Sequence, residues 1–103
     1  MLGWGIYIIK PNGNVHEEKL AQWNTDIFGD EWLEDLESKG KATLVENNGG
    51  YPNIYKALAK DILPIISADD NLRATMDGVK RNHELIESYP KDDMMHIVLW
   101  DLS

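Results

Sequence analysis

The chain has no cysteine. No disulfide framework can form, and neither a thiolate nucleophile nor a cysteine-bound metal is available. Long apolar runs are also missing. The longest are Gly5 to Ile9 and Ile97 to Trp100, far short of the roughly 20 residues that span a bilayer, so no membrane partner is expected. The opening Met1-Leu2-Gly3-Trp4 has no basic segment ahead of an apolar stretch, which reads as no export signal and points to the cytoplasm. Positive charge is scarce, with ten Lys and Arg against 18 Asp and Glu and a net charge of -8. Such a field repels nucleic acid, so none is expected as a partner.

Signatures of catalysis are equally sparse. There is no Gly-x-Ser-x-Gly, no Asp-x-Asp-x-Asp-Gly calcium loop and no helical His-x-x-x-His. Asn47-Asn48-Gly49-Gly50 lacks the Gly-Lys-Ser/Thr ending of a phosphate loop and reads as a turn. His16, His83 and His96 stand apart from one another, and the paired acids Asp69-Asp70 and Asp92-Asp93 fit caps and turns. No metal or cofactor is expected, and the chain reads as a binding protein rather than an enzyme.

What is present is ordinary for a folded domain: 103 residues, 43% apolar and 27% charged, enough for a single domain over residues 1–103 with one core. Trp4 to Ile9 and Met94 to Trp100 are apolar on both faces, which predicts two buried strands at the centre of a sheet with helices on its faces. Asn14, three residues before Glu17, predicts a short helix through about Trp23, with Leu20 and Trp23 on one face. A second helix is predicted from an Asp30 cap to Ser38, stopped by Lys39-Gly40.

Ala42 to Glu46 alternates as a strand. Tyr51 to Leu63 fits either a helix beginning at Pro52 or a returning hairpin strand over Ile54 to Lys60, with the Asn-Asn-Gly-Gly turn favouring the hairpin and a short helix then running from Asp61 through Ile66 with Pro64 in its first turn. Leu72, Met76, Val79, His83 and Ile86 repeat at helical spacing, predicting a longer helix from Asp69 or Asp70 to about Ser88 with His83 packed on its apolar stripe. The fold class expected is α/β (α+β): a small mixed sheet of about three to four strands, the N- and C-terminal strands central, packed by two to four helices.

The acidity is concentrated. Residues 11–38 carry eight acids against one base, Lys19. On the helix over 30–38, Trp32, Leu33 and Leu36 gather on one side while Asp30, Glu34 and Glu37 gather on the other, flanked by Glu31 and Asp35. Trp23, Phe28 and Trp32 lie within this segment, and aromatic anchors ringed by charge resemble protein-binding hot spots. The residues expected to meet a partner are Asp30, Glu31, Glu34, Asp35, Glu37, Trp23 and Trp32.

A short, acidic, α/β chain without catalytic residues resembles the small immunity proteins that bacteria make alongside polymorphic or contact-dependent toxins, and Asn47 to Tyr55 has the flavour of such families. Two segments also resemble the barstar family of nuclease inhibitors: Phe28-Gly29-Asp30-Glu31-Trp32-Leu33-Glu34-Asp35-Leu36, similar to the opening of its inhibitory helix, and His96 to Ser103, similar to its closing strand. The resemblance implies a cognate toxin as partner, with Asp30, Glu31, Glu34 and Asp35 occupying a nuclease's phosphate site as carboxylate mimics of the substrate backbone. The alternative is a homo-oligomeric adaptor, such as a homodimer, without catalytic activity.

Overall fold

A computed structural model describes residues 3–11, 19–49, 52–67, 74 and 78–102. Along these residues run β1 (Trp4–Ile9), β2 (Lys19–Thr25), α1 (Glu31–Ser38), β3 (Ala42–Asn47), β4 (Asn53–Leu58), α2 (Ala59–Ile66), β5 (Lys80–Arg81), α3 (His83–Ser88) and β6 (Met94–Asp101). The strands form one six-stranded sheet in the order β3-β4-β6-β1-β2-β5. All neighbouring pairs are antiparallel. This corrects the expected mixed sheet of three to four strands: the fold is α+β, and the sheet is larger and wholly antiparallel. No described helix is long and apolar enough to cross a membrane.

Strand alternation sorts the side chains onto two unlike faces. In register across the centre, Ile6 and Ile8 of β1 face the same way as Leu99 and Ile97 of β6, with Trp23 and Ala21 of β2 beside them. This face is the core, closed by Leu33 and Leu36 from α1 and by Ala59, Ile62 and Ile66 from α2, with Leu85 and Ile86 of α3 packed against it. All three described helices therefore lie on one side of the sheet. The other side carries Tyr7, Ile9, Ile54, Val98 and Trp100 along with Lys19, Lys56 and Lys80. The Lys19 ammonium sits 5.2 Å from the centre of the Tyr7 ring. Helices were expected on both faces of the sheet; the second apolar face of β1 and β6 has none among the described residues.

Residues 19–25, expected to end a helix, form β2 instead. The register slips between Ile8 and Ile9, which pair with Ala21 and Lys19 and leave Leu20 as an extra residue. That bulge turns both Leu20 and Ala21 into the core. Leu20 and Trp23 are thus three apart because of a bulge, not a helical turn. The capping residues Asn14 and Glu17, and His16, lie outside the described residues.

The helix expected over 69–88 is also corrected. Asp69, Asp70, Leu72 and Met76 lie outside the described residues, but Ala74 bridges to Thr25, Lys80 and Arg81 pair with β2, and among the described residues of this span only His83–Ser88 is helical. Gly78, at φ 72°, breaks the helical path, and Asn82 starts α3 by accepting the Leu85 N–H at 3.1 Å. His83 is exposed in the first turn of that helix rather than packed on an apolar stripe. Arg81 projects to the helix side, where its Nε donates to the Ile66 carbonyl at the end of α2 at 2.6 Å.

The hairpin reading of the middle segment is the one observed, with α2 starting two residues earlier than expected. Pro64 therefore falls inside the helix and not in its first turn, and its missing N–H cannot bond the Lys60 carbonyl. The helix ends two residues later.

The end of α1 is set by a Schellman motif. The Gly40 N–H donates to the Glu37 carbonyl at 3.0 Å and the Lys41 N–H to the Leu36 carbonyl at 2.8 Å. Gly40 supplies the left-handed φ of 75° this needs, with nothing near its absent side chain. Gly40→Ala should cost about 1–2 kcal/mol in urea unfolding, from the left-handed backbone alone, and Gly40→Asn should cost less because Asn tolerates that region. Equal losses from the two would mean that the side chain, not the backbone, decides.

Candidate functional site

The chain leaves β2 through a turn over 26–30, where Gly29 lies so close to Thr25 that a Cβ would run into the Thr25 side chain. This approach fixes where α1 starts. Leu33 and Leu36 then dock it onto the sheet. Acids at Glu31 and Glu34 suit the positive end of the helix dipole, which accounts for part of the local charge. Asp30 stands at the N-cap position, yet its side chain makes no cap hydrogen bond. Burial holds its carboxyl above the usual 3.8, with a backbone hydrogen bond opposing and Glu31 adding to the shift. The fold keeps a half-buried carboxylate here without using it as a cap.

The acids divide between two flanks of α1. Helical spacing sets Asp30, Glu34 and Glu37 on one flank, and their negative field adds to burial in raising the phenol of the half-buried Tyr55 of β4 above its ordinary 10.0. Glu31 and Asp35 belong to the opposite flank. There they line a groove of about 310 Å³ with Phe28, Trp32 and Leu36, closed on the far side by Ile65 of α2. Asp35 also holds Lys39 at 2.8 Å, in a pair more than half exposed on both sides. Such a pair contributes only about 0–1 kcal/mol.

The aromatic residues separate as sharply. Trp23 is 2% exposed, so it is corrected from a surface anchor to a core residue. Its ring centre lies 6.1 Å from that of Trp32, inclined at 38°. It buttresses Trp32, which remains half-buried in the groove wall. The indole N–H groups of Trp23 and Trp32 are buried without an acceptor among the described residues. Leaving each unmade costs about 1–3 kcal/mol, offset by the large apolar area each ring removes from water. The exposed apolar groups leading into α1 are Ile27 and Phe28, at 44% and 53%. Phe28 recurs with Trp32 and Leu36 every four residues, a spacing legible in the sequence; Ile65 and Tyr55 come from distant segments and carried no such signal.

Elsewhere the surface offers different chemistry. A cleft of about 590 Å³ lies where β3 begins and β4 ends, and is lined by Lys41, Lys56, Lys60 and Asp61 among others. His96 sits on the side of the sheet opposite the described helices, where burial pushes its imidazole below 6.5, Glu46 opposing and Lys56 adding to the shift. No three metal-ligating side chains cluster among the described residues. In comparison with known proteins, the chain matches no family model, no curated protein and no solved structure.

Asp30 lends itself to a direct test. Because its folded pKa is raised, its charged form opposes folding at neutral pH, and that cost disappears once the group is protonated in both states, below 3.8. Asp30→Asn should therefore be at least as stable as the parent at pH 7, with the difference closing in acid. Chemical unfolding at both pH values measures it. A clear loss at pH 7 would instead assign the carboxylate a structural role.

Proposed function

We propose that this chain is a non-catalytic, cytoplasmic immunity-type inhibitor that binds and neutralises a cognate bacterial toxin domain through α1. The carrying observation is the surface of that helix: five carboxylates, Asp30, Glu31, Glu34, Asp35 and Glu37, beside the exposed Ile27 and Phe28. Among the described ion pairs, only Asp35 with Lys39 neutralises any of them. Clustered charge of one sign accelerates and orients encounter with an oppositely charged surface, while aromatic and aliphatic anchors hold the complex once formed. A basic nuclease is the best electrostatic match. Co-purification with the domain encoded immediately upstream, together with rescue of growth, tests this reading. A tight, salt-sensitive complex with rescue supports it, and well-folded partners that neither bind nor rescue would overturn it.

A second reading, self-association, rests on a separate observation. Opposite the described helices the sheet bears Tyr7, Ile54 and Trp100, and Trp100 and Leu102 are 37% and 39% exposed. It requires a concentration-dependent dimer in the absence of any toxin.

Glu34→Lys combined with Glu37→Lys should slow association with the toxin by about tenfold at low salt, leaving dissociation largely unchanged and losing the effect at high salt. Stopped-flow mixing at two ionic strengths reads it. An unchanged association rate would remove this flank from the interface.

A further inference from the structure

Bases are scarce in this chain, ten against 18 acids, yet three of them converge on one cleft. Lys41, Lys56 and Lys60 line the space of about 590 Å³ where β3 begins and β4 ends, with Thr43 beside them and Asp61 as the one carboxylate among its described lining residues. The fold fixes the backbone of each lysine. The Lys41 N–H closes the Schellman turn on the Leu36 carbonyl at 2.8 Å. Lys56 is held in register between Thr43 of β3 and His96 of β6. The Lys60 N–H, in the first turn of α2, donates to the Lys91 carbonyl at 3.0 Å, next to an Ala59 N–H that donates to the Asp93 carbonyl at 2.8 Å. The three side chains are exposed, and among the described residues none of their ammonium groups forms an ion pair or a hydrogen bond. Lys56 reaches His96 through its field. Like charges gathered in one place repel, and an anion among them reverses that cost.

The lining selects the kind of anion. Three ammonium groups against one carboxylate leave two positive charges, which match a phosphate monoester carrying about -1.5 to -2 at pH 7. Lysine meets phosphate as a compact point charge with three rotatable donors, whereas a planar carboxylate is better matched by the arginine fork, and no arginine is among the described lining residues. Leu58 and Met94 add a stretch of apolar wall, and the volume falls within the roughly 300–1,000 Å³ typical of small-molecule sites, so an organic group fits beside the phosphate. A long polyanion would meet the net charge of -8 beyond the cleft, which favours a small ligand over a nucleic acid.

We propose that this cleft binds a small organic phosphate monoester, its phosphoryl oxygens met by the Lys41, Lys56 and Lys60 ammonium groups and the Thr43 hydroxyl, its organic part lying against Leu58 and Met94. The proposal stands apart from the inhibitor reading, because none of the five α1 carboxylates is among the residues that line the cleft. Either can fail without the other.

NMR titration of the isotope-labelled full chain, in phosphate-free buffer at fixed ionic strength, reads it. Phenyl phosphate should shift the Thr43 and Lys60 amide signals to saturation. Phenyl sulfate, similar in shape but singly charged, should bind about three- to tenfold more weakly, and inorganic phosphate, lacking the organic part, should also bind more weakly. Lys56→Gln with Lys60→Gln should weaken phenyl phosphate binding by about tenfold. Asp61→Asn should tighten it. Lys19→Gln with Lys80→Gln removes the same charge away from the cleft and should leave binding within about twofold of the parent. Lys56 and Lys60 are exposed, and unshifted core signals report that each variant is folded.

Absence of saturation, equal affinity for the sulfate and phosphate esters, or equal weakening by the two lysine pairs would overturn the proposal, since each is what general attraction of anions to surface lysines produces. Inorganic phosphate binding as tightly as phenyl phosphate would overturn the monoester assignment. Saturation by phenyl phosphate, lost with Lys56→Gln and Lys60→Gln and kept with Lys19→Gln and Lys80→Gln, supports it whether or not a toxin complex forms.

Discussion

Leu33 and Leu36 press α1 onto the sheet, and the candidate site depends on that contact. Both are buried among Ile6, Ile8, Ile97 and Leu99, the layer contributed by the two central strands. With these two leucines inward, every other position on the helix is assigned. Trp32 turns toward Trp23 and α2, Glu31 and Asp35 border the groove, and Glu34 and Glu37 take the flank whose negative field reaches Tyr55. A surface helix displays its charges only as steadily as its apolar stripe is held. Here the stripe is short, and the close approach of Gly29 to Thr25 and the Schellman turn at Gly40 brace it at both ends.

Among the described residues, the three helices lie on one side of the sheet and the two sides carry different charges. α1 carries the acidic side, whereas Lys19, Lys56 and Lys80 stand on the sheet's other surface. The net charge of -8 therefore understates the asymmetry. A basic partner would be drawn first toward the carboxylates of α1, so long-range forces would bias its orientation before contact.

The parts of this fold that were legible in the sequence are those where local pattern and tertiary role agree. Trp4 to Ile9 and Met94 to Trp100 are apolar on both faces and become the adjacent strands at the middle of the sheet; Asp30 and Gly40 bracket α1 closely. The failures have physical causes. The bulge at Leu20 produced helical spacing inside a strand. β5 is two residues long and follows the free edge of β2 rather than any pattern of its own. At the site, the acids were evident from composition and spacing. Their division between two flanks depends on where Ile65 and Tyr55 arrive from other segments, which a helical wheel cannot supply.

β6, the last strand in sequence, lies between β4 and β1. The local hairpins β1–β2 and β3–β4 can each form as the chain emerges, but they share no ladder until β6 slots between them and pairs with both. A two-stranded hairpin is marginal in water by itself, and pairing residues as distant as Trp4 and Asp101 requires closing almost the whole chain into a loop. The final strand therefore works as a keystone. A ribosome that stalls before Met94 releases two separate ribbons with open inner edges, prone to pair with other chains, rather than a slightly weakened protein.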